Sequence, residues 1–275
     1  MNSSDLLILF NRNKATLPYA KESPTGGYFG WTKDFNIRLK SKPKDIISLD
    51  LAKEPDLFLL FVLASAWSRS GRWEMPALFV SYLIAVKKLD SMVKIKTFVD
   101  DLPKKEADLK MFSNAIYADS IKQFSFVGGT WRTTGKIRFD IFRSIKVLYK
   151  NWDYIKNSFA TAGKTKDYRQ FMLDIRKIQG LGYGRNKMKI KIPLILRELK
   201  IQGVYTDIPG ELCCVPDSRV RKAIKEISDL QNIEFAFDSG DDESIIDGLI
   251  NTSTEIYNKF GDWYDIVLFA YEDLL

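Results

Sequence analysis

The 275-residue chain contains no histidine. That absence excludes a Ser-His-Asp triad, a Cys-His dyad, H-E-x-x-H zinc chemistry and C2H2 fingers, because each needs an imidazole. Any catalysis falls to Lys, Asp, Glu, Tyr, Ser or Cys. Cysteine is nearly absent as well: the two present, Cys213 and Cys214, are adjacent. A disulfide framework, a four-cysteine metal site and an iron–sulfur cluster are therefore excluded. Long apolar runs are also lacking. The longest, over 57–67, is too short to span a bilayer, and Met1-Asn2-Ser3-Ser4-Asp5 lacks the basic region of a signal peptide. The expectation is a soluble, cytoplasmic, monomeric protein without a membrane partner, nucleoid-associated in a prokaryote.

What is present is charge, unevenly placed. The formal net charge is +7. Residues 132–200 hold 18 Lys or Arg against 5 Asp or Glu, a surplus of 13, which leaves the remainder at −6. One basic segment in an otherwise acidic chain is the footprint expected for a polyanion partner. Solvated helix faces give the same composition, since Lys and Arg are good helix formers.

The pattern reads as all-α. Ser3-Ser4-Asp5 can cap a short apolar helix over 6–10. Residues 20–45, with Ser23-Pro24, Gly26-Gly27, Pro43 and the aromatics Tyr28, Phe29 and Trp31, read as an extended arm. Buried helices are expected over 57–70 and 76–88, then helices over 103–124, 137–159 and 167–178, with Ala162-Gly163-Lys164 as a loop. Helical patterns resume near Lys187, Ser218, Glu243 and Trp263, and the only hint of a strand is 233–237. Two helical lobes around a groove are expected: an arm over 1–49, a first lobe from 50–104 plus 225–275, and a second lobe over 105–224.

Within the second lobe, Ile178-Gln179-Gly180-Leu181-Gly182-Tyr183-Gly184 lies between two helical patterns. Alternating glycines let the backbone turn sharply and approach a neighbour closely. This is the sequence form of a helix-hairpin-helix, over about 168–201, whose exposed N–H groups and helix N-terminus suit a DNA phosphate. It is equally the form of an ordinary helix–helix turn. Lys187 stands at the mouth of the second helix, where partial desolvation can lower an amine's pKa enough for nucleophilic work. Lys189 is a second candidate. Val215-Pro216-Asp217-Ser218-Arg219-Val220 places a helix-capping Asp217 thirty residues after Lys187, and the intervening helix and return loop can bring the two face to face.

A glycine hairpin, a lysine and an aspartate cap in this order resemble the helix-hairpin-helix DNA glycosylases. The likeness is greatest to the archaeal-type 8-oxoguanine branch, an N-glycosylase/DNA lyase, and covers residues 57–275. The residues carrying it are Gly182, Lys187 and Asp217. Two further stretches are similar to the branch: Trp67-Ser68-Arg69-Ser70-Gly71-Arg72-Trp73-Glu74, and Tyr264-Asp265-Ile266-Val267-Leu268-Phe269. The chain departs from the branch at three points. Pro and Val before Asp217 are swapped, Phe269 stands where the branch has Trp, and Leu194 stands where it has a second lysine.

The resemblance implies a base-excision repair enzyme acting on double-stranded DNA that carries a modified base such as 8-oxoguanine. Catalytic roles fall to Lys187 and Asp217, with no metal or cofactor required. Trp73 and Phe269 would stack on the flipped base, worth roughly 1–3 kcal/mol per base, and Asp265 would accept from its edge. Gly180, Gly182, Gly184, Arg185 and Lys189 would face the DNA backbone, with Arg132, Arg138, Arg143 and Lys164 as further phosphate contacts. Two alternatives stand beside it: excision of a different modified or hypermodified base in surveillance of foreign DNA, and a helix-hairpin-helix module that only binds DNA.

Overall fold

Among the described residues, capping side chains fix where the chain enters five of the helices. In the computed structural model, residues 1–33, 39–41, 48–66, 74–126, 135–181 and 191–275 are described, without the side chains of 39–41, 74, 75, 78, 121, 123–126 and 135–140. The first helix, α1 (Ser3–Asn13), starts one residue earlier than the serines suggest. Asn2 and Asp5 form a reciprocal capping box, the Asp5 N–H donating to Asn2 Oδ1 at 2.8 Å. Ser3 is thereby released from capping, and its N–H and hydroxyl donate to Asp229 at 2.7 and 2.6 Å. These bonds tie the N-terminus to a loop more than two hundred residues away.

The chain reaches residue 165 through α1, α2 (Glu54–Ala66), α3 (Glu74–Ala85), α4 (Met92–Asp100), α5 (Glu106–Gln123), α6 (Gly135–Lys150) and α7 (Trp152–Thr165). Helix α4 was not anticipated; its signal is Ser91, whose hydroxyl caps the Lys94 N–H. The single long helix expected over 137–159 is two, because Asn151 interrupts it. Trp152 then turns into the core against Phe58 and Phe61, with ring centroids 5.1 and 5.5 Å away, and donates to Glu54 Oε1 at 2.9 Å. The expected loop at Ala162-Gly163-Lys164 is helical, since α7 runs on to a left-handed Lys166 with φ 61°.

The remaining helices are α8 (Tyr168–Arg176), α9 (Lys191–Ile201), α10 (Ser218–Glu226), α11 (Asp242–Phe260), α12 (Ile266–Phe269) and α13 (Tyr271–Leu274). The fold is all-α among the described residues except for one short antiparallel ladder. In it β1 (Leu39–Ser41) pairs with β2 (Phe124–Phe126), Lys40 opposite Ser125. Residues 233–237 form no strand; the segment leads into a 3-10 turn at Ala236–Asp238.

Packing groups the helices in two sets. Helix α2 packs on α3, α4 and α6, and α5 packs on α3 and α6. Residues 54–100 thus join 106–150 rather than the C-terminus. Helix α11 packs on α8 and α1, and α10 packs on α12 and α13. Two helices buried along most of their length link the sets. They are α2, buried from Phe58 to Ala66, and α9, buried from Lys191 to Leu199.

Helix α9 also anchors the arm. Glu198 is fully buried, and its carboxylate accepts from the Trp31 N–H at 3.3 Å, the Thr32 N–H at 3.2 Å and the Thr32 hydroxyl at 2.5 Å. One turn on, Gln202 donates to Thr32 Oγ1 at 2.9 Å and accepts from the Leu51 N–H at 3.2 Å. Gly30 makes the approach possible. It holds φ +92°, and a Cβ there would stand 2.8 Å from Glu198 Oε2. Gly30→Ala should therefore lower the unfolding free energy by about 1–3 kcal/mol. Gly163→Ala, in open helix surface with nothing within 4 Å of the new methyl, should raise it by about 0.5–1 kcal/mol. Urea unfolding of the two variants checks both signs; equal effects would contradict the anchoring role of the arm.

Candidate active site

Asp217, Asp265, Phe269 and Gly180 are among the described residues; Trp73, Gly182, Gly184, Arg185, Lys187 and Lys189 lie outside them. Asp217 is the N-cap of α10. Its Oδ1 accepts from the N–H groups of Arg219 and Val220 at 2.9 and 3.0 Å. Its own N–H donates to the Val215 carbonyl at 2.8 Å. That bond skips one residue and closes a three-residue turn centred on Pro216, whose ring restricts φ to the range such a turn needs. The Val-Pro order preceding the aspartate thus has a local structural use.

The half-buried Asp217 carboxyl is pushed above its ordinary value by burial, opposed by the two capping N–H groups and by the charges of Arg219 and Arg197. Arg219 lies in the first turn of α10, and its guanidinium carbon sits 4.3 Å from the Phe269 ring centre. Its Nη2 lies 2.9 Å from Asp273 Oδ2. Tyr19 and Trp31, both from the arm, meet Phe269 edge-on at 5.0 and 6.1 Å, and the Tyr19 hydroxyl donates to Asp273 at 2.5 Å. The expected stacking plate is therefore already in contact with a guanidinium and two rings. The arm, which has no counterpart in the resemblance, supplies both rings.

Asp265 is also engaged within the protein. Only 4% exposed, it accepts at Oδ1 from Arg197 Nη1 at 2.5 Å and from the Val215 N–H at 2.8 Å. Burial pushes its carboxyl up to about 6 against the pull of Arg197 and the Val215 N–H, with Asp217 adding to the rise. Arg197 is 1% exposed and lies over the Tyr28 ring at 5.0 Å. Its sequence signal was a charged Arg197-Glu198 pair inside the apolar run 192–199 of α9; charges in such a setting are buried only when partnered.

Gly180 has φ +99° in the turn that follows α8. Its carbonyl accepts from Lys191 Nζ at 2.7 Å, and the same ammonium donates to the Ser65 carbonyl near the end of α2. Lys191 is 3% exposed and so pins the turn to α2. Asp167, expected within helix α8, is instead its N-cap: its Oδ1 accepts from the Gln170 N–H at 2.9 Å.

Among the described residues, five of the cations of 132–200 pair with acids inside the fold. Lys156 pairs with Glu54 and Asp153, Lys166 with Asp207, Arg169 with Asp247, Arg176 with Asp242 and Arg197 with Asp265. Lys146, Lys191 and Lys200 donate to backbone carbonyls. Arg143, Lys150, Lys164 and Lys177 remain exposed. Pairing of this kind shortens the reach of the positive field. Cys213 and Cys214 are both buried; burial pushes the Cys213 thiol up to about 12 and that of Cys214 well above its ordinary value, which leaves them unreactive. Among the described residues no three side chains of metal-ligating type come together, and no helix is long and apolar enough to cross a membrane. A cleft of about 410 Å3, lined by Tyr28, Phe29, Lys33, Lys200, Asp262 and Tyr264 among others, lies at the C-terminal end of α9 and does not reach Asp217.

No family model, curated protein or solved structure matches the chain.

The raised Asp217 carboxyl has a consequence for stability. Its protonated form contributes stability that is fully present below the ordinary carboxylate range and lost as pH rises through the raised folded value. Asn caps helices as well as Asp. Asp217→Asn should therefore melt at the same temperature as the parent or higher at pH 7, with the gap closing below about pH 4. A variant that melts lower at pH 7 would show that the ionised carboxylate is net stabilising.

Proposed function

We propose that the protein is a DNA base-excision glycosylase with lyase activity, acting on an oxidised purine such as 8-oxoguanine flipped from double-stranded DNA. The observation that carries the reading is Asp217: a half-buried carboxylate at the mouth of α10, aimed by two backbone N–H groups, in a segment set by buried partners. A plain helix cap needs neither the burial nor the Asp265 support. The Gly180 turn between α8 and α9 supports it further, since a positive-φ glycine there is what a tight hairpin requires.

In this mechanism the Lys187 amine attacks C1′ of the flipped nucleotide. The N-glycosidic bond breaks, its electron pair leaves with the base, and the base takes up a proton. Asp217 accepts the proton lost from the amine and offsets the positive charge that develops on the sugar. Opening of the ring at C1′–O4′ gives a Schiff base; loss of a C2′ proton then breaks the C3′–O bond and nicks the strand. No step requires a metal or cofactor. Desolvation of Asp217 has a cost in stability and a use in chemistry, because a raised carboxyl accepts a proton near neutral pH more effectively than an ordinary one. The Phe269 substitution and the absence of a lysine at Leu194 bear on which base is removed, and leave open a different modified base, including one met in foreign DNA.

Borohydride reduction in the presence of an 8-oxoguanine duplex should trap a covalent protein–DNA adduct. The adduct should disappear in Lys187→Gln and fall by on the order of a hundredfold or more in Asp217→Asn. Repeating the assay over a panel of modified bases identifies the substrate. A folded protein that binds DNA, forms no adduct and nicks no substrate in the panel would replace this reading with that of a DNA-binding module.

A further inference from the structure

We infer that Arg197 and Asp265 are positioning residues for Asp217, acting through the Val215–Pro216 turn, and that Asp265 does not read the flipped base. This rests on the proposed glycosylase reading.

The chain of contacts is continuous. Arg197, on the central helix α9, places its guanidinium 2.5 Å from Asp265 Oδ1. The same oxygen takes the Val215 N–H at 2.8 Å. The carbonyl of that residue takes the Asp217 N–H at 2.8 Å across Pro216. Asp217 then commits its Oδ1 to the first turn of α10. Val215 is thus held at both polar atoms, by Asp265 on one side and by Asp217 on the other, and it is buried, as is Pro216. Rotation of the Val215–Asp217 segment would break the cap or withdraw a hydrogen bond from a buried carboxylate.

The next peptide upstream is fixed too, the Cys214 N–H donating to Ser253 Oγ on α11 at 2.9 Å. Asp217 is therefore oriented by α9, α11 and the residue preceding α12 together. Asp265, 4% exposed and with Oδ1 shared by two donors, is placed to hold the backbone rather than to meet a nucleobase. Arg197 is nine-tenths buried and more, its guanidinium faces the Asp265 carboxylate and the Tyr28 ring, and its only hydrogen-bonded link toward Asp217 among the described residues runs through Asp265.

An abasic duplex separates the two roles, because the lyase half-reaction on it involves the sugar and no base. If Asp265 positions Asp217, Asp265→Asn slows nicking and borohydride trapping on a preformed abasic site by about tenfold to a hundredfold. It slows 8-oxoguanine excision by the same factor, with DNA affinity unchanged. If Asp265 reads the base, abasic nicking stays at the parental rate while selectivity among modified bases changes, and the inference is overturned.

Asp265→Asn leaves a buried guanidinium uncompensated, so Pro216→Ala is the independent arm. It loosens the turn without touching the ion pair, and should lower kcat on the abasic duplex with KM unchanged. Parental kcat in Pro216→Ala would overturn the relay even if Asp265→Asn fails to fold. A parental protein that neither nicks nor traps on any duplex overturns the glycosylase reading itself, a result distinct from parental activity that is indifferent to both substitutions.

Discussion

Three ionisable side chains buried on one helix organise the molecule. Helix α9 carries Lys191, Arg197 and Glu198 into the interior at 3%, 1% and 0% exposure. Each must find a partner, because an uncompensated buried charge is costly and breaking a buried pair costs about 3–5 kcal/mol. Each finds it in a different part of the chain. Lys191 takes carbonyls from α2 and from the turn after α8; Arg197 takes Asp265; Glu198 takes the backbone of the N-terminal arm. One buried helix thereby fixes the relative placement of four segments, and apolar packing, which is non-directional, could not set those registers alone.

This arrangement explains why the acidic remainder and the basic segment coexist. The acids at Glu54, Asp207, Asp242, Asp247 and Asp265 meet bases from residues 156–197 across helix interfaces. Arg143, Lys150, Lys164 and Lys177 are exposed on α6, on α7 and just past α8.

The helical character, the positions of α2, α3, α5, α8, α10 and α11, and the capping role of Asp217 were legible from apolar spacing and capping residues. Boundaries failed where tertiary contact overrode local pattern. Asn151 splits a continuous apolar stripe because Trp152 has a pocket between Phe58 and Phe61. Gly163 stays helical although glycine usually punctuates. Packing partners separated by a hundred residues, such as α2 and α6, leave no periodic trace in the sequence. Asp217 as the cap of α10 was legible from its Val-Pro-Asp-Ser-Arg context. The Arg197–Asp265 support and the arm's Tyr19 and Trp31 against Phe269 were not, since no spacing rule joins residues 19, 197, 217 and 269.

The central claim is that an amine from the segment after the Gly180 turn and the Asp217 carboxylate meet at one deoxyribose. The most direct measurement is the crystal structure of the borohydride-reduced protein–DNA adduct. The account predicts a covalent bond from Lys187 Nζ to C1′, with the Asp217 carboxylate within about 3.5 Å of that carbon. A bond to a different amine, or an Asp217 side chain turned away from the sugar, would contradict it.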